Sequence, residues 1–152
     1  MGLIGLISDT HGLLRPGALE ALAGCGLIVH AGDVGPGEIL TPLRAIAPVV
    51  AVRGNIDTGE WARSLPETAE AAFEGVRLFA LHDLHELRID PAALGYHVVV
   101  SGHSHKPSQQ SRNGVLYVNP GSAGPRRFKL PIVLARLDTR VRPLQVEFVH
   151  LD

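Results

Sequence analysis

The chain is 152 residues long, 45% hydrophobic and 19% charged, which fits one globular domain over residues 1–152 and excludes a disordered chain. Fourteen Lys and Arg against fifteen Asp and Glu leave a formal charge of −1, so bulk electrostatics give no reason to expect a nucleic-acid groove. The one cysteine, Cys25, excludes an internal disulfide and fits a reducing compartment.

In chain order, Leu3-Ile4-Gly5-Leu6-Ile7 is a continuous apolar run and reads as a strand buried on both faces. Leu19, Leu22 and Ala23 recur at helical spacing, with Pro16 placed to start the helix. Leu27-Ile28-Val29 is a second buried strand. Ile39, Leu40, Leu43 and Ile46 mark a second helix, closed by Pro48, and Val49-Val50-Ala51-Val52 is a third strand. This β-α-β-α-β order predicts parallel strands with right-handed crossovers. The pattern then turns to β. Residues 69–73 and 76–81 flank Glu74-Gly75 as a hairpin. Val98-Val99-Val100 is a short buried strand. Residues 109–112 and 115–118 flank Asn113-Gly114, the strongest short hairpin signal present. Residues 132–137 and 144–149 read as the last two strands. Two sheets packed face to face with helices outside account for both halves. The N-terminal run is too short for a signal peptide, and no stretch approaches the ~20 apolar residues of a membrane span. A soluble, cytoplasmic protein is expected, with homo-oligomerisation left open.

The strands end in residues of one chemical type. The first runs into Asp9-Thr10-His11, the second into Gly32-Asp33 and the third into Gly54-Asn55-Ile56-Asp57. The strand ending at Leu81 runs into His82-Asp83, and Val100 leads to Gly102-His103-Ser104-His105. Ligands of open α/β sheets bind outside the carboxyl ends of the strands. Five segments therefore deliver carboxylate, imidazole and amide groups to one edge, a donor set suited to zinc, manganese or iron. A carboxylate such as Asp33 has two oxygens and is able to bridge two cations. Glycines before Asp33, Asn55 and His103 permit tight turns and close backbone approach to an anion.

As a set, Asp9-Thr10-His11, Gly32-Asp33, Gly54-Asn55-Ile56-Asp57, His82, Gly102-His103-Ser104-His105 and Asn119-Pro120-Gly121-Ser122 resemble the calcineurin-like metallophosphoesterase superfamily, and in particular its small bacterial and archaeal phosphodiesterase branch. The resemblance implies a four-layer α-β-β-α sandwich of two mixed sheets flanked by helices. It implies a hydrolase for small phosphate esters, phosphodiesters foremost. Two divalent cations would be held, manganese first, with nickel, zinc, iron or magnesium as alternatives. One would take Asp9, His11, Asp33 and His105, the other Asp33, Asn55, His82 and His103, with Asp33 bridging. Asp33, Asn55 and His103 are expected to serve catalysis as well. A hydroxide between cations ~3.5–4 Å apart would be the nucleophile.

Two positions depart from the family pattern. Ile56 stands where many members place a histidine that protonates the leaving oxygen, though members of the small branch often lack it. Asp83 stands where glycine often follows the metal histidine, which leaves open a partner to the site, a narrowed entrance or a solvated loop residue. His85, His97 and His150 fit no part of the set, and His30 is expected behind the ligands. Cys25 reads as a small packed residue. Arg53 is placed to pair with an aspartate of the site, Arg126-Arg127 read as a solvated turn, and Trp61 fits a cleft or the core equally. The alternative to an enzyme is a non-catalytic scaffold, the role of a eukaryotic relative of this branch that serves a trafficking coat with an impaired metal pocket. The complete ligand set favours the enzyme.

Overall fold

A computed structural model describes residues 2–152. Ten strands form two five-stranded mixed sheets. In the first sheet the order is β10 (Val146–His150), β9 (Val133–Asp138), β1 (Leu3–Ile7), β2 (Leu27–His30) and β3 (Val49–Ala51). In the second it is β4 (Thr68–Phe73), β5 (Val76–Leu81), β6 (Val98–Val100), β8 (Val115–Asn119) and β7 (Ser108–Arg112). Each sheet has three parallel strands, β1-β2-β3 and β5-β6-β8, extended by antiparallel neighbours. This is the predicted architecture of two mixed sheets.

The core lies between the sheets. Ile4, Leu6 and Val29 from one sheet meet Val76, Leu78, Val98 and Val100 from the other, all 0–1% exposed. Side chains alternate across a strand, so Ile7 and Ile28 point the other way. There they are covered by Leu22 of α1 (Pro16–Leu22) and by Leu40 and Leu43 of α2 (Leu40–Arg44). Pro16 opens α1 as predicted. The second helix is shorter than the apolar spacing implies. A 3₁₀ turn over Gly37–Ile39 precedes it, and Pro42 lies inside it without an N–H to give.

The outer face of the second sheet is covered differently. Val99, Val115, Phe79 and Tyr117 pack under Leu84 and Leu87 of a 3₁₀ turn (Leu84–Glu86) and the loop behind it. Pro91 and Gly95 break up this connection, so the outer layer here is a strap rather than a long helix. Both hairpin turns have the backbone their sequences call for: Glu74 and Gly75 have φ of 49° and 81°, Asn113 and Gly114 of 52° and 80°, the two left-handed central residues of a type I′ turn. No helix among the described residues is long and apolar enough to cross a membrane.

Candidate metal centre

The carboxyl ends of β1, β2, β3, β5 and β6 converge, and the loops they feed carry every predicted ligand. Asp9 Oδ1 lies 3.3 Å from His105 Nε2, 3.7 Å from His11 Nε2 and 3.9 Å from His82 Nε2. Asp33 Oδ2 lies 3.2 Å from His82 Nε2 and 3.6 Å from His11 Nε2. Two ligand groups result, Asp9-His11-His105 and Asp9-Asp33-His82, with the donor atoms of each within 4.8 Å of one another. Asp9 is shared by the two groups, while Asp33 belongs to the second and its Oδ2 also reaches His11 of the first. The Asn55 side-chain oxygen lies 3.1 Å from His82 Nε2 and 3.2 Å from each Asp33 oxygen. The exposed His103 sets its ring edge-on to His82, with centroids 5.2 Å apart.

The unpaired atoms fit cations. Asp9 Oδ1 and His11 Nε2 are buried without a hydrogen-bond partner, a costly state unless an ion satisfies them. Asn55 presents acceptor to acceptor, an arrangement that a cation between them resolves, or that turning the amide over would convert into donated hydrogen bonds. Burial opposes charge on Asp9, yet the imidazoles of His105 and His11, the Ser8 hydroxyl and the field of His82 outweigh it and hold the carboxyl well below its usual range. Asp33 is likewise lowered: burial opposes the charge, and His82 and the Ile56 N–H overcome it. Burial also disfavours imidazolium at His82, but Asp33 and the Ala31 carbonyl push it up to about 9. Such a site stabilises positive charge. The donors are oxygen and imidazole nitrogen, while the only thiol, Cys25, is buried in the apolar layer behind the first sheet.

Local backbone geometry aims these groups. Eight non-glycine residues among those described have left-handed φ, and five of them are Asp9, His11, Asp33, His103 and His105, with φ between 47° and 72°. Asp and His tolerate that region better than most residues, and strain of this kind collects at functional sites. Gly102 and Gly54 let the loops close. A Cβ on Gly102 would stand 2.6 Å from Asp9 Oδ2, and one on Gly54 would stand 2.1 Å from Asp33 Oδ1. The glycines make room for the ligand carboxylates themselves.

A set of buried hydrogen bonds fixes the ligands. Ser8 Oγ and the His103 N–H donate to Asp9 Oδ2 at 2.6 and 3.2 Å, which leaves Oδ1 for a metal. His82 Nδ1–H donates to the Ala31 carbonyl at 2.7 Å and so turns Nε2 toward Asp33. Asp57 accepts from the N–H groups of Val34, Gly35 and Gly54 at 2.8–3.1 Å and ties the second and third ligand loops together. His30 is fully buried; its Nδ1 accepts from the Gly32 N–H, and its Nε2 meets the Thr10 hydroxyl at 3.1 Å. Thr10 in turn donates to the Val34 carbonyl. Burial pushes the His30 pKa down to about 4, so the ring is neutral. Asn119 Nδ2 holds the Gly102 carbonyl, and Ser122 Oγ donates to the Asp9 carbonyl.

The remaining readings sort as follows. His30 lies behind the ligands as expected. The roles of Ser8, Asp57, Asn119 and Ser122 needed the structure, although Asp57, Asn119 and Ser122 lie in the motifs and Ser8 lies directly before one. Arg53 pairs with Glu67 at 3.2 Å and not with an aspartate of the site. Trp61 packs on Gly37 and the apolar layer and does not line the cleft. Asp83 caps the 3₁₀ turn by accepting from the His85 N–H. Arg126 pairs with Asp152. His97 Nδ1 accepts from the Arg77 N–H, away from the centre. A cleft of about 570 Å³ opens beside Asn55, His82 and His103, with Asp83 in its lining.

A family model described as the calcineurin-like phosphoesterase superfamily domain matches residues 3–142. The "probable metallophosphoesterase" of Methanothermobacter thermautotrophicus is 34% identical, over 99% of this chain and 89% of that protein. The phosphodiesterase YfcE of Escherichia coli is 31% identical, over 88% of this chain and 86% of its own. Among solved structures, an archaeal phosphodiesterase superposes with a TM-score of 0.77 at 22% identity, covering 98% of this chain and 99% of that one. Vps29 of Chaetomium thermophilum gives 0.77 at 20% identity, covering 99% and 98%. At those identities the two structures speak for the fold alone. With a domain match over nearly the whole chain and a relative sharing a third of its residues, this chain belongs to the calcineurin-like phosphoesterase superfamily.

Proposed function

We propose that residues 1–152 form a single metallophosphoesterase domain that hydrolyses phosphodiesters in the cytoplasm with two divalent cations, manganese first. The observation that carries this reading is the convergence of two buried carboxylates on unpaired imidazole and amide acceptors, beside an open cleft. Two cations bound there would activate a water for attack on phosphorus and neutralise the phosphoryl oxygens.

The chain's own residues supply the rest. Asp9, His11, Asp33 and His105 would hold one cation, and Asp33, Asn55, His82 and His103 the other. Asp33, with Oδ1 fixed by the Ile56 N–H at 3.0 Å, keeps Oδ2 between His11 and His82. Asn55 and His103 are the exposed members of the set and line the cleft, so they meet the incoming phosphate. Ile56, beside Asn55, has no proton to give to the leaving oxygen.

The fold is also that of Vps29, so a non-catalytic scaffold is the competing reading. A complete set of ligands speaks against it. The deciding measurement is hydrolysis of phosphomonoesters, phosphodiesters and nucleotides with manganese, nickel, zinc, magnesium or no metal. Metal-dependent turnover of diesters is the expected result. Two ions per chain with no turnover of any ester would favour the scaffold.

A further inference from the structure

The cleft beside Asn55, His82 and His103 does not stop at the ligands. It continues over the outer face of the second sheet, under the strap that follows β5. Its far part has two kinds of wall. Phe79 and Leu81 project from β5, and Leu87 and Ile89 face them from the strap. All four are at least partly buried, and Phe79 is held by a tilted ring contact with Tyr96 at 5.4 Å. Around them lie Arg53 and Arg88 against Glu67, Glu86 and Asp83.

The charges disfavour one class of occupant. Arg53 is engaged with Glu67, and Arg88 donates to the His85 carbonyl at 3.1 Å. Three carboxylates against two guanidiniums leave the lining net negative, which repels a second phosphate. What remains is an apolar slot with polar edges, within the size range of small-molecule sites, ~300–1,000 Å³. A ring lying on Phe79 and edged by Arg53 gains both apolar burial and guanidinium stacking.

Resting on the phosphodiesterase reading above, we propose that this slot holds the retained substituent of the diester and that the substituent is an uncharged aromatic group, such as a nucleoside base or an aryl ring. In the reaction a water oxygen bonds to phosphorus and the bond from phosphorus to the leaving oxygen breaks. The leaving oxygen departs as an anion or takes up the proton that water releases. The retained ester stays on the phosphate product and in the slot.

The test keeps the leaving group constant. Methyl, phenyl and thymidine 5′-esters of 4-nitrophenyl phosphate are compared on the manganese-loaded protein. KM for the phenyl and thymidine esters is expected to lie at least ~10-fold below that for the methyl ester, with kcat differing less. Leu87→Ala, and Thr68→Trp at the exposed start of β4, raise the aromatic KM and draw the ratio toward one. Val141→Ala, in the connection between β9 and β10, keeps the wild-type ratio. In a second arm, magnesium-loaded protein is titrated with diphenyl or dimethyl phosphate and followed by amide chemical shifts. Shifts at Leu87 and Arg88 with the diphenyl ester alone support the slot. Equal KM values for all three esters, or shifts confined to the metal ligands, would overturn it. Absence of turnover of all three esters would instead count against the phosphodiesterase reading, and the titration would still decide the slot.

Discussion

The side-chain oxygen of Asn55 stands 3.2 Å from both carboxylate oxygens of Asp33, acceptor against acceptor. A cation beside the pair, or the amide turned over, would satisfy both groups, and Asp33 Oδ2 also faces His82 and His11. Asp33→Ala is therefore expected to weaken both cation sites at once. His11→Ala should weaken mainly one. Loss of a group merely supporting a ligand typically costs ~10–100-fold in metal affinity or activity, so the loss at Asp33 should be at least that large. Elemental analysis after dialysis, with kcat on a nitrophenyl diester, checks both variants; wild-type activity in Asp33→Ala would sink the two-metal mechanism.

Ile56 sets the second expectation. It is 42% exposed and its N–H donates to Asp33, so its side chain stands free beside the centre. A positioned acid typically contributes ~10²–10⁴-fold by protonating a leaving oxygen. Nitrophenolate barely needs that proton, whereas an alkoxide does. The wild type should favour the nitrophenyl diester over a dialkyl ester by about that factor. Ile56→His should raise the alkyl rate more than the aryl rate, as kcat/KM for both substrates in both proteins will show. Equal wild-type rates would make Asp83 the next residue to test as an acid.

Two histidines give the metal-free protein opposite pH dependences. Burial lowers His30 from 6.5 to about 4, so the unfolded chain binds its proton more readily. The stability this neutral ring contributes is complete above about pH 6.5 and is lost as pH falls toward 4, on the order of 3 kcal/mol. At His82 burial disfavours the charge, but Asp33 and the Ala31 carbonyl raise the pKa to about 9. Its contribution is present below 6.5 and is lost as pH rises through 9. In chelator, urea midpoints should peak near pH 6.5, and His30→Gln should flatten only the acid limb. Manganese competes with the His82 proton, so its affinity should climb with pH up to about 9.

Asp57 carries the fourth expectation. Its carboxylate receives three backbone N–H groups from two ligand loops. A buried donor left without a partner costs ~1–3 kcal/mol. Asp57→Ala should lower unfolding stability by roughly 3 kcal/mol or more and weaken metal binding, although Asp57 is not among the proposed ligands. Asp57→Asn, which keeps one acceptor oxygen, should fall between. Denaturation with and without manganese separates the two effects, and unchanged metal affinity in Asp57→Ala would show that the loops hold their position without it.

Much of this was legible in the chain order of residue types. Strands buried on both faces are continuous apolar runs, as at Leu3–Ile7 and Val98–Val100, and their boundaries fall where polar residues begin. Turn backbone is local, so Glu74-Gly75 and Asn113-Gly114 announced their hairpins. Parallel strands present their carboxyl ends at one edge, so five ligand-bearing ends imply one site. What no local signal carries is which polar atom meets which across tens of residues. Arg53 chose Glu67 over an aspartate, Trp61 joined the core, and Asp57 became a knot between two loops. The slot along Phe79 and Leu87 exists because Pro91 and Gly95 prevent a long helix from sealing the second sheet. Strand, turn and ligand type follow from neighbours in sequence, whereas partner choice and open space follow from how two sheets and their loops pack.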